Sequence, residues 1–169
     1  MLFRSQPTST ELVAAVFSDL GSVSELLREN EEAHRAYSEA VQLNPRSADL
    51  WVKRGWLLSL RLSRPDAALA DFEHALQIHS EHAEALSAAG FLKALNSSPV
   101  DASPVAIKAL LVGAGDYLIL RNVACIYAEL ARRQPIQAEM HQQIAVDLIA
   151  RGIQLWQRGG KSGPNPDRK

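Results

Sequence analysis

His74, His79 and His82 lie within a short span and could in principle meet at a metal. Zinc needs further sulfur, nitrogen or carboxylate donors converging at one point, and the spacing here matches no standard site. The three are read as surface and loop histidines. Cys125 with His141 is the one pairing that could supply a nucleophile and its base. A lone cysteine on a helix is read instead as a small buried or groove residue. Gly113-Ala114-Gly115-Asp116 lacks the Lys-Ser/Thr continuation of a phosphate loop and follows a helix rather than a strand, so it is read as a helix end. No nucleophile, base and orienting group can be placed together. The expectation is a chain without catalytic activity, cofactor or metal.

The elements behind these residues follow from composition and period. Of 169 residues, 47% are hydrophobic and 22% charged, which suffices for one domain with a buried core. A net charge of -1 and a pI near 6.5 create no general attraction to nucleic acid or anionic lipid, and neither is expected as a partner. Cys125 cannot make an internal disulfide, the opening Met1-Leu2-Phe3-Arg4-Ser5-Gln6-Pro7 has no signal-peptide core, and no stretch reaches the roughly 18 apolar residues of a membrane span. A soluble, cytoplasmic protein is expected.

Ala33, Tyr37, Ala40 and Pro45 recur 35 residues later as Ala68, Phe72, Ala75 and Ser80. Small residues at these positions let two antiparallel helices approach, and the aromatic ring fills the space between them. Upstream lie Phe17, Leu20 and Gly21 in one case, Trp51, Gly55 and Leu58 in the other. Each unit is therefore a helix pair. Thr8 and Glu11 form a capping box opening a helix from about Ser9 to Arg28, with Leu12, Val16, Leu20 and Leu27 on its buried side.

The domain is expected over 9–158, after an extension 1–8 and before a disordered tail 159–169. Its units run about 14–47, 48–82, 83–116 and 117–158. Pro65 and Asp66 open the second helix of the second unit. In the third unit Asn96-Ser97-Ser98-Pro99 is a turn, and Ser103-Pro104 starts or closely precedes a short helix carrying Ile107, Leu110 and Leu111. Leu120, Val123, Ala124 and Tyr127 restore the first-helix pattern in the fourth. The last helix, about Ile136 to Arg158, carries Ile144, Leu148 and Trp156 and is read as a C-terminal cap with a polar outer face.

A period near 34 residues with this phrase resembles the tetratricopeptide repeat (TPR) family, from about Ala14 to Arg158. The resemblance implies an all-α, right-handed superhelical solenoid of about four antiparallel helix pairs. Residues 120–128 followed by an elongated helix also resemble the ends of repeat arrays attached to bacterial signalling proteins, including serine/threonine kinase-like ones. The family's members are mostly scaffolds and adaptors that hold a peptide or partner segment in a concave groove lined by the first helix of each pair.

Carried over by position, the groove residues would be Ser18, Ser22 and Glu25; Val52, Trp56 and Ser59; Ser87, Phe91 and Ala94; and Arg121 and Cys125. One subgroup captures a C-terminal carboxylate with Lys, Asn and Arg. The matching positions here are Ser18, Ser22, Lys53, Glu84 and Ala88, or one unit later Val52, Trp56, Ala88, Leu118 and Asn122, and neither set makes that clamp. The expected partner is a protein or peptide held by apolar anchors at Trp56 and Phe91, with Arg121 as a polar contact. The competing reading packs both rings between repeats. A self-associating module, pairing two copies as a homodimer, and a regulatory module for a separate signalling protein are the alternative functions.

Overall fold

The computed structural model describes residues 7–96 and 99–158, the side chains of 96, 99 and 100 excepted. Every regular element among these residues is helical: α1 (Ser9–Leu26), α2 (Asn30–Leu43), α3 (Ala48–Leu60), α4 (Pro65–Ile78), α5 (Ala83–Asn96), α6 (Pro99–Gly113), α7 (Tyr117–Arg133) and α8 (Ala138–Arg158), with a single 3-10 turn at Pro135–Gln137. The expected tail at 159–169 lies outside the described residues, as do Ser97 and Ser98 of the expected turn. No described helix is long and apolar enough to cross a membrane. The chain divides into two compact units between Ser80 and Glu81.

In the first unit α1 packs on α2, α3 on α4, and α2 on α3. The capping box forms as expected: the Glu11 N–H donates to Thr8 Oγ1 at 3.2 Å and the Thr8 N–H to Glu11 Oε2 at 2.7 Å. Pro65 opens α4, where its missing donor would have had no helical partner. A Cβ at Gly21 would stand 2.7 Å from the Tyr37 ring and one at Gly55 2.8 Å from the Phe72 ring, so each ring rests directly on the backbone of the facing helix. Ala33, Ala40, Ala68 and Ala75 are fully buried around these contacts. The repeated phrase is thus the packing code of the pair.

α1 and α3 end alike. Arg28 and Ser63, 35 residues apart, both adopt left-handed backbone, with φ of 63° and 53°. The Glu29 N–H then reaches the Ser24 carbonyl at 2.8 Å and the Arg64 N–H the Leu58 carbonyl at 2.9 Å, satisfying acceptors that a helix end leaves open.

One expectation for α1 is reversed. The helix buries Ala14, Ser18, Gly21 and Ser24, whereas Leu12, Val16, Leu20 and Leu27 are exposed. The physical reason is the Tyr37 contact, which requires small residues on the face toward α2. The large apolar side chains are left on another face, where nothing described covers them.

In the second unit α5 pairs with α6 and α7 with α8, and α5 and α6 both also pack on α7. α6 begins at Pro99, ahead of the expected start at Ser103-Pro104. Pro104 lies inside it, near its start, where it forfeits a single backbone bond. Ala102, Ala106 and Ala109 keep one buried face at helical spacing across it. α8 departs from the polar-faced cap: Val146, Ile149, Ile153 and Trp156 are exposed at steps of three and four along one side.

The end of α7 is tied by charge. Glu129 accepts from Arg132 at 3.0 and 2.6 Å and from Arg133 at 2.6 Å, and Arg133 also donates to the Leu95 carbonyl of α5. The Arg132 hydrogen bond foremost, against an upward push from burial and with Arg133 adding to the fall, holds the Glu129 carboxyl at about 2. A folded-state value below the unfolded value of about 4.3 means stabilisation that is complete above that unfolded value and is lost as pH falls toward 2. Glu129→Gln is therefore expected to lower the urea midpoint at pH 6 and to leave it close to wild type at pH 2. A gap undiminished by acid would contradict the pairing.

Candidate functional site

The first helices align on the small residues at their pair contacts, Gly21, Gly55, Gly90 and Ala124, which follow one another by 34 or 35 residues. The residue just after each is Ser22, Trp56, Phe91 and Cys125. All four belong to the expected groove set, and the structure leaves Ser22, Trp56 and Phe91 half-buried and Cys125 exposed. The shared position follows from local geometry: a residue next to one that faces its own pair is turned about 100° away from that contact.

In the first unit Trp56 lies edge-on to Phe72, with centroids 5.2 Å apart and planes at 67°. The ring is therefore held by a fully buried partner while part of it meets solvent. Lys53 and Ser59 lie three residues to either side and share its face of α3. Lys53 donates to Ser18 Oγ at 2.8 Å, and Ser22 Oγ lies 3.1 Å from the Tyr37 hydroxyl, which also reaches Glu25 at 3.4 Å. Burial pushes the Tyr37 phenol up, the Ser22 hydrogen bond acts downward, and the Glu25 charge adds to the rise. Ser18 and Val52 are buried and are not available at the surface.

In the second unit Ser87 is buried and accepts from Asn122 at 3.3 Å, while Asn122 accepts from Arg121 at 3.2 Å. Arg121 itself is exposed. Ala94 is buried and offers no surface either. The structure thus brings Ser18 to Lys53 and Ser87 to Asn122. It withdraws Ser18, Val52, Ser87 and Ala94 from direct contact with a ligand.

Sequence reasoning does not single out a cavity of about 310 Å³ between α7 and α8, lined by Tyr117, Arg121, Ile149, Gly152, Ile153 and Trp156. Its signal is the spacing of Ile149, Ile153 and Trp156, which marks a second apolar face on α8 beside the one holding Leu148 and Gly152. Gly152 has ordinary contact room against Leu120 and the Tyr117 carbonyl, so α8 meets α7 there at a distance that would also admit a Cβ.

The side chains first weighed for chemistry have structural surroundings. His74 lies against Trp51 with ring centroids 4.0 Å apart, and His82 Nδ1 accepts the Ala85 N–H at 3.3 Å as a helix cap. Among the described residues no three His, Cys, Asp or Glu are grouped so as to hold a metal ion. His141 is buried with its ring 5.8 Å from that of Tyr127, and in sequence it follows Ala124 at the same distance as Phe72 follows Gly55.

Solved structures share this arrangement. The TPR domain of OM64 from Arabidopsis matches with a TM-score of 0.65 at 18% identity, covering 74% of this chain and 99% of that one. YrrB, described as a TPR protein with an unusual peptide-binding site, matches with a TM-score of 0.60 at 18% identity over 84% of this chain and 68% of its own. A tetratricopeptide repeat protein from Parabacteroides merdae matches with a TM-score of 0.63 at 23% identity over 90% of this chain and 61% of its own. No family model and no curated protein matches the sequence. The chain has the tetratricopeptide repeat fold: all-α, with eight described helices packed in sequential pairs. At these identities the likeness establishes the fold alone.

Proposed function

We propose that this chain is a non-enzymatic scaffold that binds a protein or peptide segment on the faces of its first helices, through apolar anchors rather than a carboxylate clamp. Trp56 anchors the ligand in the first unit and Phe91 in the second. The observation that supports this most directly is the Trp56 ring, fixed edge-on by Phe72 yet partly open to solvent, with Lys53 and Ser59 on the same face. A rigid, half-exposed indole flanked by polar groups is the composition of an interface hot spot. The peptide-binding site of YrrB supports the same class of partner.

Peptide display against the purified chain tests the reading. Selected peptides are expected to lose about tenfold or more in affinity on Trp56→Ala or Phe91→Ala. Ser9→Ala, at the exposed start of α1, should leave binding unchanged. No selectable peptide, or affinity indifferent to both aromatic substitutions, sinks the proposal.

A further inference from the structure

Neighbouring first helices within each unit are joined by one recurring side-chain bond. It runs from the residue two before the aligned small residue to the residue three before it on the preceding first helix. Lys53 donates to Ser18 in this way at 2.8 Å, and Asn122 to Ser87 at 3.3 Å. In α1, which no described helix precedes, the donor-side position is Asp19. In α7, the last of the first helices, the acceptor-side position is Arg121. Both are exposed, and their charges are opposite.

The apolar positions follow the same register. Five before and two after the aligned residue, α3 uses Leu50 and Leu57 to pack on the preceding pair: Leu50 clusters with Ala14, Ala40 and Val41, and Leu57 with Ala33 and Tyr37. α7 places buried Ile119 and Ile126 there, and Ile126 reaches the backbone at Gly90. In α1 these positions are Val16 and Val23, which are 66% and 52% exposed, with Leu20 between them at 44%. α1 thus carries the side chains of a helix that packs on a preceding pair, without a described pair to receive them.

The receiving surface exists in the same chain. Ala14, seven before the aligned glycine, belongs to the surface that receives α3. Its counterpart in the last pair is Tyr117, which lines the α7/α8 cavity together with Arg121, Ile149, Ile153 and Trp156. Arg121 lines this cavity, and Asp19 stands next to the Val16, Leu20 and Val23 stripe of α1. The two faces therefore carry opposite charges beside apolar surface.

We propose that a second copy of this chain covers each of these faces: α1 of one copy docks on α7 and α8 of the next, placing Val16, Leu20 and Val23 over the cavity and pairing Asp19 with Arg121. The contact joins two different surfaces, so each copy keeps one of each free, and the association is head-to-tail, growing into chains or closing into a ring. An isologous dimer does not satisfy it. The inference rests on the α1 and α8 faces and is independent of peptide binding at Trp56 and Phe91.

Sedimentation velocity on the full chain from micromolar to millimolar concentration tests it. Wild type is expected to gain mass with concentration beyond a dimer, or to settle at a ring. Val16→Glu and Ile153→Glu each destroy one exposed face, and each protein alone should be monomeric while keeping the wild-type circular dichroism. Mixed in equal amounts they should form a heterodimer and stop, because together they retain one intact α1 face and one intact cavity. Asp19→Arg and Arg121→Asp should each weaken association about tenfold, and mixing these two should restore growth beyond a dimer, because both kinds of mixed junction again join opposite charges; this pair decides the matter should either glutamate variant fail to fold. A wild type that stays monomeric throughout, or variants that associate as wild type does, overturns the proposal. So does a mixture in which no heterodimer forms.

Discussion

Phe72→Ala is expected to destabilise the first unit by about 4 kcal/mol, read as a fall in the urea midpoint. Among the described residues Phe72 is the largest fully buried side chain, and its ring rests on the bare backbone at Gly55 with Trp56 against its edge. Truncation leaves a ring-sized void that Gly55 has no side chain to fill, which places the cost in the middle of the range for such changes. Phe72→Leu, which keeps most of the volume, should cost roughly 1–2 kcal/mol. The diagnostic result is a coupling. Gly55→Ala alone drives a Cβ to within 2.8 Å of a ring that cannot retreat, but beside a leucine at position 72 the same methyl group enters partly vacated space. The double variant should therefore be more stable than the sum of its parts by about 1 kcal/mol. Strict additivity would mean that helix and ring do not meet as described.

That pair of residues also shows how much of the packing is legible in the sequence. Gly55 with Phe72 and Gly21 with Tyr37 can be matched from the chain's own repetition, because a 35-residue recurrence of small and aromatic residues has one economical explanation, a helix laid closely on a ring. The limits appear at α1. Its leucines and valines form as regular an apolar stripe as any core face, and hydrophobic period alone assigns them to the interior. Ala14, Ser18, Gly21 and Ser24 take that place because contact distance, not hydrophobicity, selects the face toward Tyr37. α8 repeats the lesson: it has two adjoining apolar faces, and period does not say which is covered. In the expected groove set, position alone makes surface residues of Ser18, Val52, Ser87 and Ala94. They lie buried, whereas the position just after each aligned small residue keeps Trp56, Phe91 and Cys125 at least partly open.

Asp71 escapes sequence reasoning for a related cause, since a carboxylate is not sought on a buried face. Its spacing with Ala68 and Ala75 nonetheless puts it there, and it is 4% exposed. Arg54 of α3 meets it with two parallel bonds, Nε to Oδ2 at 2.8 Å and Nη2 to Oδ1 at 2.7 Å. The same guanidinium reaches Ser38 of α2 at 3.4 Å and lies 4.9 Å from the centre of the Trp51 ring, so a single cation joins three helices. Asp71→Ala is expected to destabilise the first unit by about 3 kcal/mol, because it strands a mostly desolvated cation beside a new cavity; the partial exposure of Arg54 keeps the loss at the lower end of the range for broken buried pairs. Replacing both partners, with Arg54→Met and Asp71→Leu, removes the stranded charge together with the bonds. That double variant should recover most of the stability lost by Asp71→Ala, since a buried pair and an apolar substitute of similar volume are close in free energy. Urea denaturation of the three proteins separates the cases. A loss under about 1 kcal/mol for the single variant would place Arg54 in water rather than in the core, on the scale of an exposed pair. A double variant no better than the single one would show that the bidentate geometry itself, by fixing how α3 lies between α2 and α4, holds the unit together.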